Sequence, residues 1–272
     1  MVREDRPAAI RRTHLRGGLS VHEAQIFNWL VVTVFALGIL TWVCLVYVTA
    51  PYGRHARAGW GPEIPSRLGW IVMESPAVIF FSLVYSRGDR RAALVPLLLF
   101  AFWQFHYIHR MLIFPFRMRI RGKKMALVIP LLALVFNFIN AWINARWISH
   151  LGYYDDSWVR DPRFLSGAAL FLAGWWINVR SDSLLFRLRR PGETGYRVPR
   201  GGLHDRVASP NYLGEIIEWA GFALMSWSPA ALAFAFYTVA NLAPRASANL
   251  GWYRGTLSDY PPERKALIPY VW

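Results

Sequence analysis

A single cysteine, Cys44, stands in the 272-residue chain, inside an apolar run. An intramolecular disulfide is therefore excluded, as is any metal cluster built on several thiolates. Acidic residues are scarce too: 16 Asp and Glu face 31 Lys and Arg, for a formal charge of +15. No strand leads into Gly-x-Gly-x-x-Gly, so the dinucleotide fingerprint of the Rossmann fold is missing. Internal repeats, low-complexity tracts and linkers are also missing, which leaves one domain as the simplest organisation. Met1 to Ser20 is basic but has no apolar core, so it does not read as a cleavable signal, and the first apolar run is expected to stay as a helix.

What the chain does have is apolar and aromatic surface. Hydrophobic residues make up 55%, aromatics 16% and charged residues only 17%, with 14 tryptophans. This departs from soluble-domain averages toward an all-α, polytopic integral membrane protein, and Trp collects at membrane interfaces. A spanning helix needs about 20 apolar residues. Seven runs qualify: Ile26 to Ala50, Leu68 to Tyr85, Ala93 to Phe114, Met125 to Ile148, Phe164 to Val179, Tyr212 to Trp227 and Pro229 to Leu242. The last three are short or interrupted, a pattern tolerated where a helix faces protein or a cavity, so the C-terminal half is the expected home of a site.

In a soluble protein the positive charge would point to nucleic acid. Here most basic residues fall in short segments between apolar runs, which favours positive loops and a small polyanionic ligand, with no nucleic acid and no obligate protein partner. With seven spans, one side carries 18 Lys and Arg and the other 10. The positive-inside rule then puts the C-terminus and the basic loops in the cytoplasm.

Polar residues in apolar company are functional candidates, because a carboxylate at bilayer depth is costly unless paired. Asn211, Glu215 and Glu218 share one helix face, at spacings of four and three. Glu74 lies alone between apolar triplets, and the third run supplies partners in Gln104-Phe105-His106-Tyr107-Ile108-His109-Arg110. A phenol such as Tyr107, held by a carboxylate, can donate a hydrogen bond to a carbonyl oxygen. Asn137 and Asn140 read as interhelical contacts.

The densest polar signal is expected in a long loop after the fifth helix. Asn178 and Asp182 are four apart, on one helix face, followed by Arg187, Arg189, Arg190, Tyr196 and Arg197 with several glycines and prolines. Arginines grip phosphate bidentately, and carboxylates can bind ribose hydroxyls or an adenine amine. That inventory suits a dinucleotide with an extra phosphate. Arg245 and Asn249 are expected to follow the seventh helix in a tail that folds back over the loops, where Tyr253 and Tyr260 could flank a purine or nicotinamide ring.

The run Asn211-Tyr212-Leu213-Gly214-Glu215-Ile216-Ile217-Glu218-Trp219 resembles the steroid 5-alpha-reductase family, as does Trp227-Ser228. So do Arg189-Arg190-Pro191-Gly192-Glu193, Tyr196-Arg197, His106-Tyr107-Ile108-His109-Arg110 and the ending Asp259-Tyr260-Pro261 with Arg264-Lys265-Ala266-Leu267-Ile268-Pro269. The similarity is close over 178–272 and thinner upstream, where Glu74 and Tyr52-Gly53-Arg54-His55 carry it. The resemblance implies a seven-helix membrane reductase that uses NADPH to saturate the C=C bond of an α,β-unsaturated ketone, above all a 3-oxo-Δ4-steroid. It implies that Glu74 and Tyr107 polarise the substrate carbonyl, with Tyr107 the proton donor. The matching cofactor positions are Tyr52, Arg121, Asn178, Asp182, Arg189, Tyr196, Arg197, Asn211, Glu215, Arg245 and Tyr253, and no metal is implied. Residues 26–150 would form mainly the substrate side and 164–272 mainly the NADPH side of one domain. Two positions depart from the family pattern: Met73 replaces a Gln and Asn249 a His. High charge and a short chain suit a bacterial member in the inner membrane.

Two other classes share parts of this pattern. A membrane methyltransferase also holds an adenine cofactor in a C-terminal bundle, but its cofactor carries no phosphate for the arginines. A non-enzymatic sterol or lipid receptor would not need the inventory between Asn178 and Arg200. Among reductases, trans-2-enoyl-CoA and polyprenol are the alternative substrates.

Overall fold

The computed structural model describes residues 21–118, 122–188 and 195–272. Its helices form seven rods: α1 (Val21–Tyr47), α2 (Ser66–Tyr85), α3 (Leu94–Arg117), α4 (Val128–Leu151), α5 (Pro162–Arg187), α6 (Pro210–Ser226) and α7 (Pro229–Thr256). Four of them, α1 to α4, are long and apolar enough to cross a membrane. Start signals are legible at two of the others. The Asp161 side chain accepts from the Arg163 amide at the start of α5, and Ser228 caps α7, each followed by proline at the first helical position.

Proline shapes α2. Pro76 has no amide hydrogen, so the chain widens into a π-helical turn over Pro76–Phe80, and the Ser75 hydroxyl takes the Val72 carbonyl at 2.8 Å. Neighbouring helices satisfy three further carbonyls there. Asn137 of α4 donates to the Met73 oxygen at 2.6 Å, while Trp103 and Gln104 of α3 donate to Ala77 and Val78 at 2.8 and 3.2 Å. A second π turn, His109–Ile113, precedes Pro115 in α3. An antiparallel pair of three-residue strands, β1 (Glu63–Pro65) and β2 (Lys124–Ala126), ties the segment before α2 to the segment before α4.

Glycine sets the distance between α5 and α6. Gly167 and Gly174 face Gly221 and Gly214, and a Cβ on Gly214 would sit 2.5 Å from the Asn178 backbone nitrogen. A Cβ on Gly221 would sit 2.5 Å from that of Phe171. Two backbones approach this closely only where neither carries a side chain, as in small-residue helix interfaces. The contact brings Asn178 and Asp182 against Asn211 and Glu215. Beside it lies an aromatic core in which Trp103 meets Trp219 edge to face at 5.4 Å and Tyr107 at 4.9 Å.

Three boundaries differ from expectation. The fifth helix runs past Val179 to Arg187, so the polar stretch begins on a helix, and Asn178 and Asp182 share one of its faces as their spacing predicts. The seventh runs past Leu242 to Thr256, which places Arg245, Asn249 and Tyr253 on one face of α7 instead of in a tail. In both cases the helix outlasts the apolar stretch that marks it in sequence. The fourth begins at Val128, because Met125 belongs to β2. The remaining tail does fold back: Val207 pairs with Lys265, and Arg264 donates to the Pro199 carbonyl at 2.7 Å.

Candidate functional site

Two adjoining cavities open where α5 ends and α6 begins. The larger measures about 530 Å³ and the smaller about 320 Å³, both within the usual range for ligand sites. Six residues line both: Tyr52, Trp70, Met125, Asn211, Tyr212 and Arg245. The two spaces therefore share a wall.

The smaller cavity holds Glu74 of α2 and Tyr107 of α3, both buried. Asn137 approaches the Glu74 Oε2 at 3.5 Å while bonding the Met73 carbonyl, an interhelical role that also positions the carboxyl group. No direct hydrogen bond joins Glu74 to Tyr107. The phenol is instead framed by the rings of Trp103, His106 and Trp219, with centroids 4.9, 4.9 and 5.5 Å away. Met73, one of the two family departures, also lines this space.

The floor of the same cavity is a polar network between α3, α5 and α6. Asn178 Nδ2 donates to the Asn211 carbonyl at 3.0 Å and to Glu215 Oε2 at 3.2 Å. Asn211 Nδ2 donates to Asp182 Oδ1 at 3.0 Å. Arg110 lies 3.8 Å from Asp182 and 4.0 Å from Glu215, its guanidinium against Trp70 and Phe114. Asn178 lines neither cavity and acts as a brace. Deeper in the bundle, His106 Nδ1 meets Glu218 Oε1 at 2.7 Å.

Around the larger cavity are Tyr52, Tyr196, Arg197, Asn211, Arg245 and Tyr253, with Arg54, Lys123 and Lys124 beside them. Arg245 lies 4.5 Å over the Tyr52 ring and bonds Asn241 at 3.2 Å. Arg54 rests on the Tyr253 and Trp252 rings, and its Nη1 is buried without a hydrogen-bond partner among the described residues. An orphaned cationic donor in a basic, partly aromatic cavity fits a phosphorylated dinucleotide. Tyr253 and Tyr260 depart from expectation: they stack on each other at 4.9 Å, 5° from parallel, rather than flanking a third ring. Asn249, the second departure, accepts from His55 Nε2 at 3.0 Å and donates to Ser209 at 3.0 Å. Burial, aided by Arg54 and Arg57, holds the His55 imidazole below its ordinary value despite that bond.

Arg121 and Arg189 lie outside the described residues. The other nine expected cofactor positions gather at these cavities or, for Asn178, directly behind them. Sequence reasoning passed over Trp70, Tyr212 and Met125, each on the shared wall. Trp70 had a signal, since it precedes Glu74 by one helical turn. Met125 had none, because a strand of three residues leaves no period to read.

The sequence pattern of the family described as 3-oxo-5-alpha-steroid 4-dehydrogenase matches residues 123–272. The chain is 38% identical over 260 residues to a steroid 5-alpha-reductase DET2 of Gossypium hirsutum, covering 92% of this chain and 99% of that protein. It is 42% identical over 240 residues to the 3-oxo-5-alpha-steroid 4-dehydrogenase 1 of Bos taurus, covering 87% and 93%. With the Homo sapiens protein of the same name the identity is 43% over 222 residues, covering 81% and 85%.

Proposed function

Because the chain belongs to the steroid 5-alpha-reductase family, and is thereby an oxidoreductase acting on CH–CH donors, we propose that it uses NADPH to reduce the Δ4 bond of a 3-oxo-Δ4-steroid or a related lipid enone. One observation carries this reading: a basic cavity and a cavity holding Glu74 and Tyr107 share the wall of Tyr52, Trp70, Met125, Asn211, Tyr212 and Arg245. A ring seated at that wall from one side meets an enone seated from the other.

Bound NADPH would be held by Arg54, Arg197 and Arg245 with Lys123, Lys124, Tyr52 and Tyr196, and it supplies the hydride. Glu74 and Tyr107 grip the substrate carbonyl, and the charge that develops on its oxygen as the β carbon is reduced is stabilised by the Tyr107 hydroxyl, which gives up its proton. Asn137 keeps Glu74 turned toward the cavity. Asn211 on the shared wall, with Asp182 and Glu215 behind it in the smaller cavity and Asn178 as their brace, would hold polar edges of the cofactor. Arg121 and Arg189 extend the phosphate grip by family resemblance alone.

The division into a substrate side, 26–150, and an NADPH side, 164–272, follows these assignments in the main, with Tyr52, Arg54, Arg121, Lys123 and Lys124 crossing over. We infer seven spans, α5 to α7 being polar because they line the site. The basic loops put the site and the C-terminus on the cytoplasmic side, in a bacterial inner membrane.

The test is incubation of detergent-purified protein with NADPH and testosterone or progesterone, with chromatography of the product. A 5-alpha-reduced steroid is the expected outcome. Retained NADPH without steroid reduction would move the substrate to enoyl-CoA or polyprenol, and protein that binds S-adenosylmethionine in place of NADPH would overturn the reading.

A further inference from the structure

The reduction proposed above consumes one proton per turnover, and Tyr107 stands in a wall of aromatic rings. Once it has given its proton away it must be recharged. Asn137 reaches Glu74 from α4, and Arg110 faces Asp182 and Glu215, so those carboxyl groups already have partners. The acid–base pair nearest Tyr107 in the chain, His106 and Glu218, has no use in that mechanism.

His106 and Tyr107 are consecutive on α3, their rings edge to face at 4.9 Å. Both line the smaller cavity, whereas Glu218, which is fully buried, does not. Glu218 therefore holds the His106 ring from behind through Nδ1, at 2.7 Å. Trp219 packs at 4.6 Å against the same imidazole and fixes its plane. A carboxyl group that fixes one ring nitrogen determines which proton the other can give or take. Glu218 Oε2 is buried with no hydrogen-bond partner among the described residues. With the shared proton on Oε1, Oε2 is a carbonyl-type acceptor, the polar group least costly to leave unpaired.

We propose that His106 is a proton relay that recharges Tyr107, and that Glu218 is its positioning residue and proton store. The step balances as follows. The Tyr107 phenolate takes the proton from His106 Nε2, directly or across one cavity water, and the proton on Glu218 Oε1 passes to Nδ1. The imidazole ends neutral with its proton on Nδ1, and Glu218 ends as a carboxylate. Water entering as the product leaves returns one proton to the pair.

This relay rests on the enone-reductase reading, so the test runs wild type beside His106→Gln and Glu218→Gln. Expected for His106→Gln is a kcat at least ~10-fold lower, a KM for NADPH within about two-fold, and a solvent deuterium isotope effect on kcat that rises well above the wild-type value as proton return becomes limiting. Glu218→Gln shifts the isotope effect the same way and keeps the variant set decisive if His106→Gln does not fold. An NADPH-induced thermal shift equal to that of wild type identifies a folded variant. A folded variant with lower kcat and an unchanged isotope effect, or with unchanged kcat, overturns the relay alone. A wild-type protein that reduces no enone overturns the underlying reading.

Discussion

Tyr107 brings a hydroxyl into a wall otherwise built of Trp103, His106 and Trp219, and Glu74 brings a carboxyl group held by a single amide. Neither side chain is needed to fill space that Phe or Gln would leave empty. Tyr107→Phe and Glu74→Gln should therefore fold and bind NADPH as wild type does while losing about 10²- to 10⁴-fold in turnover. Steady-state kinetics with each variant check this, and full activity in both would remove these residues from the site. A different residue governs stability against acid. Burial pushes the His204 imidazole down to about 4 from its ordinary 6.5, although its Nε2 donates to the Ser181 carbonyl. The fold favours the neutral ring, so this contribution is complete above pH 6.5 and is lost as pH falls toward 4. His204→Gln keeps a donor but cannot titrate. Melting midpoints measured from pH 7 to 4 should fall more steeply for wild type than for the variant, and equal slopes would contradict the assignment.

At the scale of elements, the α5–α6 contact decides whether a site exists. Four glycines let the two backbones touch, and the touching turns carry Asn178, Asp182, Asn211 and Glu215 into one network. A Cβ on Gly174 would meet the Gly214 carbonyl at 2.5 Å and the Glu218 nitrogen. Gly174→Ala should cost about 1 to 3 kcal/mol, lower the melting midpoint and weaken NADPH binding, because both helices must part. Thermal melting with and without NADPH reads both effects, and an unchanged melt would show that the helices do not pack this closely. The polar residues on these helices were legible in sequence, at spacings of four, as one face. The helical setting of Arg245, Asn249 and Tyr253 was not legible, nor was the run of α5 on to Arg187, because hydropathy marks where a helix is apolar and not where its hydrogen bonds stop. The β1–β2 pairing was hidden because it joins segments distant in the chain and too short to show a period, and the Tyr253–Tyr260 stack because it joins the end of a helix to a loop with no period.

Over the whole molecule, two cavities of different character meet at one wall. The basic one draws on the loop after α1, the strand pair, the α5–α6 connection and the far end of α7; the other sits among α2, α3, α4 and α7 on a floor from α3, α5 and α6. This arrangement explains why a chain with four strongly apolar helices carries three more polar ones: α5, α6 and α7 supply the junction as well as the bundle. The proposed function would also account for the charge, since a polyanionic cofactor and basic loops would place their demands on the same end. The account requires that hydride cross the shared wall directly. The decisive measurement is reduction of a 3-oxo-Δ4-steroid with NADPH deuterated at the transferring position of the nicotinamide ring, followed by mass spectrometry and NMR of the product. One deuterium at the steroid β carbon, C5, with none entering there from heavy water in the converse experiment, is the predicted result. Solvent-derived deuterium at C5, or reduced steroid carrying no label from the cofactor, would contradict it.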